Sequence, residues 1–376
     1  MKTVLHLERK FTSKTETFIV NQINTIKNFN VIVATTKKLN NLNCDKQVIE
    51  PPKVSYISRT GKYLSKKTAL SLFEAIKQFK VDIIHIHYLV DALFFLKLID
   101  KFNLPKIVSC YGYDVSSFPN RFLGIGRLLL KKVFDKCDYF LAMSNDMKSD
   151  LLKLGCPKEK IIVHYYGTDV KRFYYPDRKY KNNSKIKLLI VGTVEEKKAQ
   201  HLVIMALSRI IKDYINIELH IVGGDGGYLS KCQRLVEKYN LGKNVFFHGF
   251  IPHNSNELLN FYKNSDIFLL TSITLNDNDK EGIPGTIVEA MANGLPVIST
   301  YHAGIPYIIE NEKEGLLVKE RDIDGIAYSI IRLIEDDKLR EKLGKNAQKK
   351  ALEELDLYKG TERLEKIYEK VLNSNN

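Results

Sequence analysis

The chain has 376 residues, 44% hydrophobic and 27% charged, with a net charge of +14. That length suits two domains, and the apolar content excludes wholesale disorder. Five scattered cysteines without a CxxC pair exclude a zinc ribbon or a disulfide framework and fit a reducing compartment.

The start, MKTVLHLERK, lacks the apolar core of a signal peptide, and no apolar run reaches the ~18–20 residues that span a bilayer, so a cytoplasmic protein is expected. Strand-like runs follow: TVLHL from Thr3, VIVATT from Val31, VDIIHIH from Val81, KIVSCYG from Lys106, YFLAMS from Tyr139 and KIIVHYYG from Lys160. Runs such as IIHI and IVSC are apolar on both faces, as buried parallel strands require. Between them lie helical patterns, for example KKTALSLFEAIKQFK from Lys66. After the first strand, SKTE from Ser13 reads as a capping box in which Ser13 caps and Glu16 reaches back.

The polar, aperiodic stretch from Thr168 to Lys185 reads as a linker. The alternation then restarts with IKLLIVG from Ile186, IELHIVGG from Ile217, NVFFHG from Asn244, DIFLLTS from Asp266, PVIST from Pro296 and GLLV from Gly315, and a charged helical tail follows from Asp324. Two doubly wound, Rossmann-like α/β domains are expected, facing each other across a cleft, with ligands at the carboxyl ends of the strands. Residues 1–170 hold 27 Lys+Arg against 15 Asp+Glu, whereas 171–376 hold 31 against 29. The one-sided basic excess suggests a polyanionic partner such as anionic lipid or a phosphorylated ligand; the plain alternative is a lysine-rich composition that aids solubility.

Three stretches of the second half carry chemistry. In EGIPGTIVEAMANGLPVIST, from Glu281, Pro284 suits the first turn of a helix, Gly294 its C′ position, and Pro296 bars continuation. Glu281 then lies in the loop and Glu289 inside the helix. Gly285 and Glu289 share a face, and Gly285 leaves that face bare, so a phosphate can reach the first-turn N–H groups with Glu289 placed for ribose or sugar hydroxyls. The alternative is an ordinary helix start with Glu281 favouring the dipole and Glu289 solvated. In HIVGGDGGY, from His220, a strand runs into Gly223, Gly224, Gly226 and Gly227, where backbone can approach a ligand. In VGTVEEKKAQHL, from Val191, Lys197 and Lys198 follow a strand end, either as a diphosphate clamp or as a solvated pair.

These stretches, with VFFHGFIPHNSNELLNFYKNSDIFLLTS and HYYGTDVKRF, resemble the retaining glycosyltransferases of family 4, with the GT-B fold. TSKTETFIVNQI, VDIIHIHY and VSCYGYDV in the first half resemble the branch that builds bacterial exopolysaccharide, capsule and O-antigen. The resemblance implies an acceptor-binding domain over 1–170, joined by a C-terminal helix near 358–376, and a nucleotide-sugar-binding domain over 171–357. It implies Glu281 on the donor sugar and Lys198 on the diphosphate as catalytic residues. Glu289 falls on the ribose, the amides of Gly285 and Thr286 on the diphosphate, and Phe250 and Ile251 at the base, with Gly224 and Lys197 also on the donor side. Glu16, His87, Tyr111 and Asp114 fall at the acceptor side of the cleft. Thr193 and Ala199 stand where the family carries Arg and Gly, and Tyr111 where it carries His; Lys197 and His87 are the candidate stand-ins.

The implied reaction is front-face transfer from a nucleotide sugar, with UDP the expected nucleotide, to a lipid-linked or polysaccharide acceptor. No cofactor or metal is expected, although Asp277-Asn278-Asp279 forms a DxD. A nucleotide-sugar epimerase of the same fold and a non-catalytic partner subunit are the alternatives. Arg121–Phe134, RFLGIGRLLLKKVF, reads as a surface for the inner leaflet of the membrane or as a core helix with basic flanks. No nucleic-acid partner is expected.

Overall fold

The computed structural model of the protein describes residues 1–12, 16–39, 42–51, 65–120, 124–180 and 185–374. Two compact units result: unit 1 is Met1–Gly167 with Leu357–Asn376, and unit 2 is Thr168–Asp356.

Unit 1 holds seven strands: β1 (Thr3–Phe11), β2 (Asn30–Lys38), β3 (Gln47–Ile49), β4 (Ile83–His87), β5 (Lys106–Ser109), β6 (Tyr139–Ala142) and β7 (Ile161–Val163). Their order is β3-β2-β1-β4-β5-β6-β7, and every pairing is parallel. Leu5, Leu7, Ile83, Ile84, Ile86, Ile107 and Val108 are fully buried, since helices cover both faces of a parallel sheet. Unit 2 holds β8 (Ile186–Val191), β9 (Ile217–Val222), β10 (Val245–Phe247), β11 (Ile267–Leu270), β12 (Val297–Thr300) and β13 (Gly315–Val318), in the order β10-β9-β8-β11-β12-β13. Its pairings are also all parallel. All twelve expected strands are present. The unexpected one, β3, is a three-residue edge strand, too short to show a period.

In both sheets the strand order reverses once, between β1 and β4 and between β8 and β11. Helices leave the two central strands toward opposite faces there, which opens a crevice at the carboxyl ends.

Two expectations are corrected. The stretch from Thr168 is not a free linker: the helix Val170–Phe173 buries Phe173, and Arg178 donates to the carbonyls of Asn293 (2.8 Å), Ser265 (2.6 Å) and Tyr262 (2.7 Å). Aperiodic sequence hid a strap whose arginine satisfies three carbonyls of unit 2. Ser13 lies outside the described residues, but the helix begins at Thr17 with Glu16 in the N-cap position and no side-chain cap bond, so it starts too late for the capping box. In RFLGIGRLLLKKVF, residues 121–123 lie outside the described residues, and Ile125–Lys136 is a helix that buries Leu130, Val133 and Phe134. Its other face exposes Ile125 (49%) and Leu128 (69%) beside exposed Arg127, Lys131 and Lys132. Among the described residues, no helix is long and apolar enough to cross a membrane.

The last helix, Leu357–Asn373, packs Leu364, Tyr368 and Val371 into the unit 1 core with Val4, Ile19, Ile23 and Ile83. Full burial of such side chains contributes roughly 1.5–3 kcal/mol each. Glu365, on the same helix, accepts the backbone N–H groups of Lys27 and Asn28 and the Asn28 amide, all at 2.7 Å. Glu365→Ala strands those donors and should lower unit 1 stability by about 2–3 kcal/mol. A urea-unfolding midpoint for unit 1 that does not move would refute the anchor.

Candidate functional site

In unit 2, β8 ends at Gly192, and a short turn carries Glu196–Lys198 over the carboxyl edge of the sheet. The aliphatic stem of Lys198 passes 3.7 Å from where a Cβ on Gly192 would stand. Ala199 is left-handed, φ +55°, which explains why glycine suits this position. Lys198 Nζ lies 2.8 Å from Glu281 Oε1, an ion pair. Lys197 Nζ pairs with Asp279 at 2.8 Å. The two lysines are therefore partnered and largely buried, not a solvated pair. Burial alone would raise the Glu281 pKa, but Lys198 and Lys197 outweigh it and hold the carboxyl below its ordinary value. Burial likewise opposes charge on Lys197, yet Glu281 and Asp279 raise its pKa. The DxD is a tight turn: Asp277 accepts the Asp279 N–H at 3.0 Å, Asn278 is left-handed, and Asp279 faces Lys197.

The loop that carries Glu281 is clamped by two residues that sequence reasoning missed, His302 and Glu320. The Glu281 N–H donates to His302 Nε2 at 3.0 Å, so His302 carries its proton on Nδ1 and donates it to Glu320 at 2.6 Å. Glu320 also accepts from the Thr274 N–H (2.8 Å) and hydroxyl (2.9 Å). Both residues follow strand carboxyl ends, β12 and β13, and that position was the available signal.

The helix Gly285–Ala292 starts after the loop, with Pro284 at the N-cap position, one place earlier than expected. Its end is a Schellman motif: Gly294, φ +79°, donates to Met291 O, and Leu295 donates to Ala290 O. Gly285 and Thr286 are half-buried, and as the first two residues of the helix their N–H groups have no intrahelical acceptor, whereas Ile287 N–H donates to Pro284 O at 3.2 Å. A Cβ on Gly285 would meet only Glu289 Oε1 and Thr168 Oγ1, both at 3.9 Å, so the bare shared face is present. Glu289 is not solvated. It is 4% exposed, and its oxygens accept from Tyr262 Oη (2.6 Å) and His253 Nε2 (2.8 Å). Burial disfavours charge on His253, but Glu289 overrides it and raises the imidazole pKa.

On the outer side of β8, the ends of β9 and β10 meet. A Cβ on Gly223 would sit 1.9 Å from Gly192 O, so only glycine fits there. Gly224 lies against Phe250, whose ring is 65% exposed, while Ile251 is buried.

In unit 1, His87 and Tyr111 come together: His87 Nδ1 and Tyr111 Oη are 2.7 Å apart, and His87 Nε2 is 2.9 Å from His6 Nδ1. His85 bonds Tyr368 Oη (2.5 Å) and Ser109 Oγ (2.7 Å). His6, His85 and His87 are the one group of three potential metal ligands among the described residues, with ligand atoms within 4.8 Å. Burial pushes all three pKa values well below the ordinary range, so the trio is neutral, and most of its nitrogens are engaged in these hydrogen bonds. Asp114 is fully buried and accepts the N–H groups of Leu89, Tyr111 and Gly112, which ties two strand exits together. Its oxygens serve the backbone.

Burial raises the Glu320 pKa, but the bonds from His302 and Thr274 outweigh it and bring the carboxyl down to about 2. A lowered native pKa stabilises the fold above the unfolded value near 4.5 and ceases to do so as pH falls toward 2. Glu320→Gln should therefore lower Tm at pH 7, with the gap to the parent closing between about pH 4.5 and 2. A gap independent of pH would refute the ionised clamp.

Residues 174–350 match the model for glycosyl transferases group 1, and residues 25–172 match that for glycosyltransferase family 4. A putative colanic acid biosynthesis glycosyltransferase of Escherichia coli is 36% identical over 220 residues, 58% of this chain and 53% of the relative. An amylovoran biosynthesis glycosyltransferase of Erwinia amylovora is 30% identical over 284 residues, covering 74% and 68%. The chain thus spans about half the length of the first of these relatives. A galactosyltransferase of Escherichia coli, named for UDP-galactose and a diphosphoundecaprenol-linked acceptor, is 24% identical and covers 80% and 79%. Anabaena HepE in complex with UDP shares the fold at a TM-score of 0.80 and 16% identity, covering 98% of this chain and 100% of that one. The two parallel-sheet units are those of the GT-B fold, and the chain belongs to the family 4 glycosyltransferases.

Proposed function

We propose that the protein is a retaining glycosyltransferase that moves a sugar from a UDP-linked donor to a lipid-linked acceptor in the synthesis of a bacterial surface polysaccharide. The observation that carries this reading is the Lys198–Glu281 contact at the β8/β11 crevice, four residues ahead of the open first turn at Gly285 and Thr286. A diphosphate fits between an ammonium and first-turn N–H groups, since both favour negative charge. Glu281 then takes the hydroxyls of the donor sugar and Glu289 those of the ribose. Phe250, Ile251 and Gly224 take the base, and Lys197 sets the position of Asp279 and Glu281.

In the reaction, the bond from the anomeric carbon to the diphosphate oxygen breaks. The acceptor oxygen bonds to that carbon on the same face, and its proton passes to the departing phosphate. Charge grows on the leaving group, so Lys198 and the helix amides supply the main stabilisation. Nothing in this scheme calls for a metal. Unit 1 is the acceptor half, with Glu16, His87 and Tyr111 at its crevice side. The exposed Ile125 and Leu128, amid Arg127, Lys131 and Lys132, suit an anionic inner-leaflet surface at which a lipid-linked acceptor is found.

The relatives named for colanic acid and amylovoran, and the one named for a diphosphoundecaprenol-linked acceptor, support this reading. With UDP-sugars in excess chelator, the protein should release UDP, slowly without acceptor and faster with a lipid-linked saccharide. Lys198→Ala and Glu281→Ala should each lower kcat/KM by about 10²–10³-fold. Unchanged rates in both variants would overturn the site, and loss of the parent's activity in chelator would overturn the metal-free scheme.

A further inference from the structure

The second strand-order reversal, between β1 and β4, has its own cavity. It measures about 330 Å³ and draws Glu8 and Arg9 from β1, Glu16 from the residue before Thr17, Tyr88 and Asp91 from the segment after β4, and Tyr113 from the segment after β5. This volume lies at the low end of the ~300–1,000 Å³ typical of small-ligand pockets.

Glu8 is unusual. It is 3% exposed, and its Oε2 has no hydrogen-bond partner among the described residues, although it lines the cavity. A buried carboxyl oxygen left without a partner is destabilising, and a ligand hydroxyl that bonds it relieves this. Asp91, a second acid of the wall, is satisfied: it accepts the Arg9 N–H at 2.6 Å and lies 3.5 Å from the Arg9 guanidinium.

We propose that this cavity is a subsite for one pyranose ring of the acceptor saccharide, with Glu8 and Glu16 as the residues that read its hydroxyls. The proposal rests on the glycosyltransferase reading above. Acids dominate the wall, with Glu8, Glu16 and Asp91 against Lys10 and an Arg9 that is held by Asp91, and this disfavours phosphate as the occupant. A cation is not required either. Burial, the charges of Glu16 and Asp91, and a hydrogen bond with Glu16 raise the Glu8 pKa to about 10, so the group resolves its own repulsion by keeping a proton. The Glu8 proton is engaged by Glu16, so what the two carboxyls offer a ligand is acceptor oxygens, Glu8 Oε2 among them, and these suit the donating hydroxyls of a sugar. The rings of Tyr88 and Tyr113 supply the apolar wall that a sugar face needs.

The test is saturation-transfer NMR on the full chain. The probes are the methyl α- and β-pyranosides of glucose, galactose, mannose and N-acetylglucosamine, and UDP affinity is measured alongside. At least one glycoside should bind. Glu8→Leu and Glu16→Ala should weaken it at least about tenfold, because each removes a polar partner from a built site. Glu8→Gln should stay within about threefold, since the amide keeps the shape, the donor and the lack of charge. UDP affinity should be unchanged in all three variants. The proposal is overturned if no glycoside binds the parent, or if Glu8→Leu and Glu16→Ala bind it as the parent does while retaining UDP affinity. If UDP fails to bind the parent while glycoside binding stays sensitive to Glu8, the nucleotide-sugar reading falls and the saccharide subsite stands.

Discussion

Crossovers between parallel strands are right-handed, so a sheet whose strand order reverses must send neighbouring helices to opposite faces. The two strands at the reversal are left with no helix over their carboxyl ends. In this protein the constraint acts twice, at β1/β4 and at β8/β11. Both places collect polar groups that no core position would tolerate: Glu8, Glu16 and Asp91 in unit 1, and Lys197, Lys198 and Glu281 in unit 2.

Those groups then have to be stabilised away from water, where an unpaired charge costs several kcal/mol. The chain uses four different solutions. Glu281 keeps its charge beside two lysines. Glu289 spends its oxygens on Tyr262 and His253. Asp114 is held by three backbone N–H groups, and Glu8 keeps its proton. The choice follows from what lies within reach. Backbone donors are available at the turn after β5, side-chain donors beside the helix Gly285–Ala292, and only further acids beside Glu8. Of the four, the charge-paired and the protonated carboxyl can trade partners when a ligand arrives, whereas Asp114 is locked by its own backbone.

Rigidity of the loop that carries Glu281 comes from a short polar chain, not from apolar packing. Glu281 N–H, His302, Glu320 and Thr274 connect the exits of β11, β12 and β13. Each link is modest, about 1 kcal/mol net for a neutral bond and roughly 1.5–3 with a charged partner. Together they define one tautomer of His302 and one position for the Glu281 backbone. The glycine at 223 and the left-handed Ala199 do the same for the facing loop, by sterics instead of hydrogen bonds.

The sequence alone determined every strand but the short edge strand β3, because buried parallel strands write themselves as short apolar runs between helical periods. It also determined the chain reversal at Gly294, because a left-handed C′ residue has few alternatives to glycine. The shared face of Gly285 and Glu289 followed from helical spacing. Local pattern left other features open. The strap carrying Arg178 looked like a linker, since its acceptors at Tyr262, Ser265 and Asn293 are roughly 80–115 residues away in sequence. The partners of Lys198, Glu281 and Glu289, the His302–Glu320 clamp, the Tyr111–His87 contact and the burial of Glu8 depend on which strand ends become neighbours. Strand order is set by long-range packing, and no period within a single segment records it.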